Sequence, residues 1–446
     1  MKILIVAGYF PPYAPASASR VNKFAKYMHD QGHDVWVLAP KYIGYALTLT
    51  PELPEEKIIF TDITKVNDIP GKLIKRVKNF FRSDKHAISS TSTGTNIPAP
   101  TGKPPAGKAG KESTLSRWYR KLTNVPDDMI GWYPHGVKAG RKLFESWSPD
   151  IIFCTTPPHS GLLVARRLAA LLDVPWVVDY RDLWTGHGYY NASPVKRTVD
   201  RFLEKTILRN CKGMITVTES WAKDLKEQST LPVEFARNGF DPKDFSDTPL
   251  ETYDAEKVTI IYAGLLYGIK RDPSLVLEAL GKMGDKAKYF RFMIYTAKGI
   301  RDLTPAHTAL IEKYNLQDVV ENYKYIPQAD LLKIQQQADL LLLLRWDDPK
   351  ENGVIAGKLF EYIGSGTPIL ATGSTTGEAA DIVRDNDFGL VSNDVDEVVA
   401  YLEKLLITKQ KGDLKRRVNP NREQFTRTKQ FEKLVPFMEE IIADSR

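Results

Sequence analysis

Two doubly wound α/β domains in tandem are predicted by this 446-residue sequence, and three of its features lead there. Strand-length apolar runs that are continuous rather than alternating recur between helical stretches, the mark of parallel sheets covered on both faces. The same scheme repeats in the second half of the chain. Between the halves, Asn238–Leu250 carries Asn-Gly, Asp-Pro and Ser-Asp-Thr-Pro, which is turn and linker chemistry. A chain this long has room for more than one core, and two facing domains whose ligands sit beyond the carboxyl ends of their strands would make an interdomain cleft.

In order, Ile3–Ala7 reads as a first buried strand, Arg20–Gln31 as a helix and Asp34–Ala39 as a second strand. The N-terminal apolar run is too short for a signal peptide, and Phe10-Pro11-Pro12 ends it without a small-residue cleavage site. Asp150–Cys154, Trp176–Asp179 and Met214–Val217 are strand-like, with helices at Gly161–Leu172 and Val195–Leu208 between them. In the second half, Thr259–Ala263, Phe290–Tyr295, Leu340–Leu344 and Pro368–Ala371 read as strands. Pro273–Met283, Ile355–Ser365 and Val395–Leu406 read as helices, and a last helix is expected around Phe431–Ile442.

Composition is that of a soluble globular protein, 42% hydrophobic and 26% charged. No run approaches the roughly 18–20 apolar residues of a membrane span. Cys154 and Cys211 stand alone, with no CxxC and no histidine spacing suited to zinc. Cys154 lies in an apolar run, so a buried thiol in a reducing, cytoplasmic setting is expected. The net charge of +7 is uneven: Lys65–Lys121 holds 13 Lys/Arg against Asp68, Asp84 and Glu112, or +10, which leaves −3 elsewhere. A nucleic-acid partner would more often require that charge across a folded face, so none is expected. Within this stretch, about 83–112 has no residues from which to build a core and reads as a disordered insertion. Its flanks, 69–82 and 115–122, interleave Lys/Arg with Phe, Trp and Leu, which suits contact with an anionic membrane surface as well as an ordinary core helix with a basic side.

The most informative segment is Gly357-Lys358-Leu359-Phe360-Glu361-Tyr362-Ile363-Gly364-Ser365-Gly366-Thr367-Pro368. A helix N-terminus offers free N–H groups and partial positive charge to an anion; Lys358 adds a full charge, and Glu361 can accept from sugar hydroxyls. An amphipathic helix with solvated Lys and Glu would account for the pattern less fully. The segment resembles the donor-site helix of the GT-B glycosyltransferases, in particular the large retaining group called family 4. By that resemblance Glu361 holds the nucleotide ribose. The family's first glutamate, eight residues earlier and near the donor sugar, is Gly353 here, with Glu351 as a possible substitute.

Further motifs follow in the family's order. Ile260–Pro273 is similar to its first strand-loop-helix of the donor domain, so Gly264 would approach the phosphates while Lys270 or Arg271 neutralises them, Leu265 standing where an arginine is common. Arg237-Asn238-Gly239-Phe240-Asp241 resembles an interdomain segment, with Asn238 at the donor or in a structural turn. Trp176–Trp184 ends a strand on Asp179, Arg181 and Asp182. Either aspartate could orient the acceptor hydroxyl or take its proton, or form a structural pair with Arg181, itself an acceptor-side candidate. The proline-led loop Phe10–Arg20 resembles the loop beside the donor phosphates, which makes Arg20 a candidate contact. His159, after Thr155-Thr156-Pro157-Pro158, is an acceptor-side candidate or a hydrogen-bonded structural residue. Pro126–Pro134 is similar to a segment found in one sub-branch of that family, and no chemical role attaches to it.

The resemblance implies an acceptor-binding domain over 1–240, joined by a final helix at 428–446 packing back on it, and a nucleotide-sugar-binding domain over 241–427. It implies transfer from a nucleotide-diphosphate sugar to a hydroxyl of a glycan or lipid-linked acceptor, as in cell-surface polysaccharide synthesis, with no cofactor. No metal ligands are expected, since no Asp-x-Asp pattern occurs. A sugar-nucleotide epimerase of the same architecture and a non-catalytic nucleotide-sugar binder remain as alternatives.

Overall fold

The computed structural model describes residues 1–13, 18–41, 49–66, 124–186, 188, 190, 192–246, 250–266, 268–296, 302–414 and 419–445. The basic stretches 69–82 and 115–122 and the insertion 83–112 lie outside the described residues. The chain divides into two compact units, the first made of Met1–Thr216, Ser229–Glu234 and Val435–Arg446, the second of Val217–Gln228 and Phe235–Leu434.

The first unit is built on seven strands: β1 (Lys2–Ala7), β2 (Asp34–Pro40), β3 (Ile58–Thr61), β4 (Ile151–Thr156), β5 (Trp176–Tyr180), β6 (Gly213–Thr216) and β7 (Val233–Phe235). Their order is β3-β2-β1-β4-β5-β6-β7, and the pairings from β3 to β6 are parallel. The strand order reverses between β1 and β4. β1 and β4 are buried almost end to end, which is why their sequences run apolar without alternation. Pro126–Pro134 acquires a structural role here. Asp127 accepts from the Ser160 amide (3.0 Å) and hydroxyl, capping the helix Ser160–Leu172 from outside it. Trp132 is fully buried, and its indole N–H donates to Thr61 Oγ1 (2.8 Å).

The second unit has β8 (Val258–Ala263), β9 (Phe290–Tyr295), β10 (Val320–Tyr323), β11 (Leu340–Leu344), β12 (Ile369–Thr372) and β13 (Gly389–Val391). All are parallel in the order β10-β9-β8-β11-β12-β13, and the reversal falls between β8 and β11. Two apolar layers cover the sheet, one around Leu277, Phe292 and Leu402, the other around Leu341, Phe360 and Ile382.

Several boundaries differ from the sequence reading. The helix expected from Ile355 begins at Gly357, because Ala356 is extended (ψ 135°). Pro368 precedes β12 instead of starting it; it has no N–H to give, but its carbonyl accepts from Leu341 N (2.9 Å). The last helix is two, Arg427–Glu432 and Leu434–Asp444. Within the first unit the latter lies flush on β6: a Cβ on Gly213 would come within 2.5 Å of Ile441 Cδ1.

Candidate functional site

In the second unit the sequence-derived donor residues gather at the β8/β11 reversal, the place where parallel sheets leave a crevice for ligands. Gly264 follows β8 with φ +141°, and its N–H donates to Tyr295 O at 2.9 Å. A Cβ there would lie 2.5 Å from Lys358 Nζ. Glycine is therefore what lets the lysine head close over the backbone. Lys358 Nζ also sits 4.3 Å from the centroid of the Tyr262 ring. Burial lowers the Lys358 pKa to about 7, the positive charge of Arg271 adding to the effect and Glu361 opposing it.

The helix Gly357–Ser365 starts beside this lysine with no side-chain cap. A Cβ on Gly357 would meet nothing within 4 Å, so space lies open at that helix end. Glu361, one turn on from Lys358, accepts from Gln328 Nε2 at 3.0 Å, and burial raises its pKa. Arg271 is held in place by two groups: it makes a two-point ion pair with Glu351 (3.2 and 3.4 Å) and donates to Leu344 O (3.2 Å). Glu351 is 2% exposed; its carboxylate serves as the anchor of Arg271. Lys270 Nζ lies 4.3 Å over the ring of Trp346. Arg345, directly after β11, is buried and donates to Ser374 O (2.6 Å) and Thr376 O (2.7 Å). Its Nη2 has no hydrogen-bond partner among the described residues.

The gap at Gly353 has a physical reason. A Cβ on Gly353 would collide with Nε1 and Cδ1 of Trp221, which the helix Glu219–Gln228 contributes to this same unit. That helix is held by Glu378, which accepts from the Glu219 amide (3.2 Å), the Ser220 amide (3.0 Å) and Ser220 Oγ (3.1 Å) and pairs with Arg237 (2.6 Å). Asn238 enters through its backbone: Arg427 Nε donates to its carbonyl (3.3 Å), while Gly239 turns with φ +62°.

In the first unit, Asp179 at the end of β5 is 1% exposed and accepts from Arg20 Nη2 (3.1 Å) and Thr155 Oγ1 (2.9 Å). Arg20 is itself buried, so this guanidinium is directed at Asp179. The side chain of Arg181 donates to Pro157 O, and its amide donates to Thr156 O (3.0 Å). Asp182 is exposed and lines a cavity of about 530 Å³ with His159, Trp184, Tyr190, Lys196 and Asp200. The His159 ring stacks on Trp184 (centroids 4.6 Å apart, 11° between planes) and hydrogen-bonds Thr156 Oγ1 at 2.7 Å. Burial lowers its pKa to about 4, the nearby Asp182 opposing, so the imidazole is neutral at pH 7.

Sequence reasoning passed over Tyr262, Arg345 and Trp346. The signal was present: each stands at or just after the carboxyl end of a strand next to the reversal. Glu378 and Trp221 carried no local signal, because their partners are remote in sequence. Cys154 and Cys211 are buried free thiols. Among the described residues no group of three or more His, Cys, Asp and Glu is arranged to hold a metal ion, and no helix is long and apolar enough to cross a membrane.

The model of the glycosyl transferase 4-like domain matches residues 99–238. The sucrose-phosphate synthase of Thermosynechococcus elongatus is 14% identical, with 100% of each chain covered and a TM-score of 0.60. A glycosyltransferase from Rickettsia africae is 12% identical over 99% of this chain and 98% of its own, TM-score 0.57. The Anabaena protein HepE, solved in complex with UDP, is 12% identical over 99% of this chain and 100% of its own, TM-score 0.58. No curated protein matches the sequence. The fold is the two-domain Rossmann-like GT-B fold.

Proposed function

We propose that this protein is a glycosyltransferase that moves a sugar from a nucleotide-diphosphate sugar to a hydroxyl of a glycan or lipid-linked acceptor. The observation that carries the reading is the closure of Lys358 Nζ over Gly264, beside the open, uncapped N-terminus of its own helix. That arrangement suits a diphosphate. The match of the glycosyl transferase 4-like domain supports transfer, and the UDP of the HepE complex supports a uridine diphosphate leaving group.

In the reaction the bond between the sugar C1 and the diphosphate oxygen breaks, and a bond from C1 to the acceptor oxygen forms with retained configuration. The acceptor proton passes to Asp182 or to solvent. Negative charge grows on the departing diphosphate, and Lys358, Lys270, Arg271, Arg345 and the helix N–H groups stabilise it electrostatically without calling on a metal ion. Glu361 takes the ribose. Asp182, exposed beside His159, is better disposed towards an acceptor than Asp179, whose oxygens are occupied by Arg20 and Thr155. The free cysteines fit a reducing compartment, and we assign the reaction to the cytoplasm, in cell-surface polysaccharide assembly.

The test is incubation of the purified protein with nucleotide-diphosphate sugars, with and without lipid and glycan acceptors, following nucleoside diphosphate and product. Acceptor-dependent release of diphosphate with a glycosylated product is expected. Epimerised sugar nucleotide formed without acceptor would replace this reading with the epimerase. Tight donor binding with no turnover on any acceptor would leave a binding protein.

A further inference from the structure

The helix Pro194–Ile207 of the first unit has an outer face unlike the rest of the described surface. Val195, Val199 and Phe202 are 76%, 50% and 72% exposed. At 3.6 residues per turn these positions fall within an arc of about 60° and form one stripe. The other exposed large apolar residues, such as Leu265, Tyr325 and Ile407, stand singly on different elements. To one side of the stripe stand the exposed Arg201 and Lys205, with Arg209 just beyond the helix end, while Arg197 turns away to Tyr190 and donates to its carbonyl (3.3 Å). Both acids of the helix are engaged on its inner side. Asp200, 1% exposed, accepts from Tyr190 OH and pairs with Lys196 (2.6 Å), and Glu204 accepts from Tyr180 OH (2.9 Å) and Thr185 Oγ1 (2.5 Å). The outer face is therefore apolar and basic, with no carboxylate.

We propose that this helix lies on an anionic lipid surface, with Val195, Val199 and Phe202 dipping below the headgroups and Arg201, Lys205 and Arg209 meeting lipid phosphates. Charge favours a lipid surface of that sign. Size disfavours a protein partner: the stripe offers three apolar side chains, against the roughly 20–30 residues that each side of a stable protein interface contributes. The inner side of the same helix supplies Lys196 and Asp200 to the cavity of His159 and Asp182, so docking would bring a lipid-linked acceptor to that cavity. This last step rests on the proposed function; the docking rests on the helix alone and is read without any transfer assay.

Co-flotation of the full chain with vesicles decides it, using phosphatidylcholine alone or with about one third phosphatidylglycerol. The wild type is expected to float with the anionic vesicles and not the neutral ones. The triple variant V195S/V199S/F202S should lose at least about tenfold in partitioning, and R201E/K205E about fivefold per charge removed. Circular dichroism melting should be unchanged, since these side chains face outward. Wild type that ignores anionic vesicles overturns the proposal. So does a triple variant that floats like wild type, which would assign the membrane contact to 69–82 and 115–122. A concentration-dependent dimer abolished by the triple substitution would also overturn it, by making a second copy the occupant.

Discussion

Lys358 is bound to Tyr262 by a cation–π contact, its Nζ 4.3 Å from the ring centroid. The contact holds an ammonium group in a largely desolvated place at the end of β8, over a glycine that alone gives it room. Such a group is costly while the site is empty and gains most when a diphosphate arrives.

The pH dependence of donor binding follows. The Lys358 pKa is lowered to about 7 by burial, and a bound diphosphate raises it by favouring the charged form. Affinity for a nucleotide-diphosphate sugar, whose phosphates do not titrate in this range, should fall at least about tenfold from pH 6.5 to pH 9. Calorimetry should show proton uptake on binding at pH 8. In Lys358→Met both the slope and the proton uptake should vanish. Stability runs the other way: between pH 7 and the unfolded value near 10.5 the unfolded chain binds the extra proton, so wild type should gain stability with rising pH and the variant should not.

Gly264→Ala should do two kinds of harm. The φ of +141° strains any side chain, at about 1–3 kcal/mol, and the new Cβ displaces Lys358 Nζ. Melting temperature and donor affinity should both drop, the latter by at least about tenfold. Gly284→Ala is the control, since its φ is +56° and a Cβ there meets nothing within 4 Å. It should cost about 1 kcal/mol of stability and leave donor affinity unchanged.

Gly353→Glu should not improve donor binding. The added side chain strikes the Trp221 indole, and overpacking at such a contact costs about 1–3 kcal/mol. The companion double variant Trp221→Ala/Gly353→Glu should be less destabilised than the sum of the single changes, because the cavity accepts the carboxylate side chain. Thermal melts of the four proteins of the cycle measure this directly.

His159 sets a second pH window. Its pKa is lowered to about 4 by burial, so between pH 4 and 6.5 the unfolded chain binds a proton that the folded one refuses. Stability should rise with pH across that window. His159→Phe, which keeps a ring against Trp184, should flatten this rise, while donor affinity at pH 7 stays the same. Melting curves at pH 4.5, 5.5 and 6.5 check it.

Legibility in the sequence was greatest where one interaction dominated. Leu340–Leu344 and Phe290–Tyr295 are buried almost throughout, and continuous apolar residues announce such strands. β3, β7, β10 and β13 are short and largely half-buried, so no run of that kind marks them. Gly264, Lys270, Arg271, Gly357 and Lys358 come together because strand ends at a reversal share one crevice, a consequence of topology that a local motif can indicate. What stayed hidden were pairings across long stretches of chain. Arg20 is committed to Asp179, 159 residues away; Trp221 fills the space at Gly353; and Glu351 anchors Arg271. Each is a three-dimensional fact with no periodicity to betray it.

The most direct test of the central claim is calorimetric titration of the intact protein with UDP, beside Lys358→Ala and the distant, exposed control Lys404→Ala. Binding of one UDP per chain in the micromolar range is predicted, unchanged in Lys404→Ala and weakened at least about tenfold in Lys358→Ala, with no loss of melting temperature since a costly desolvated group is removed. No heat of binding from UDP or any other nucleoside diphosphate, or equal affinity in all three proteins, would contradict it.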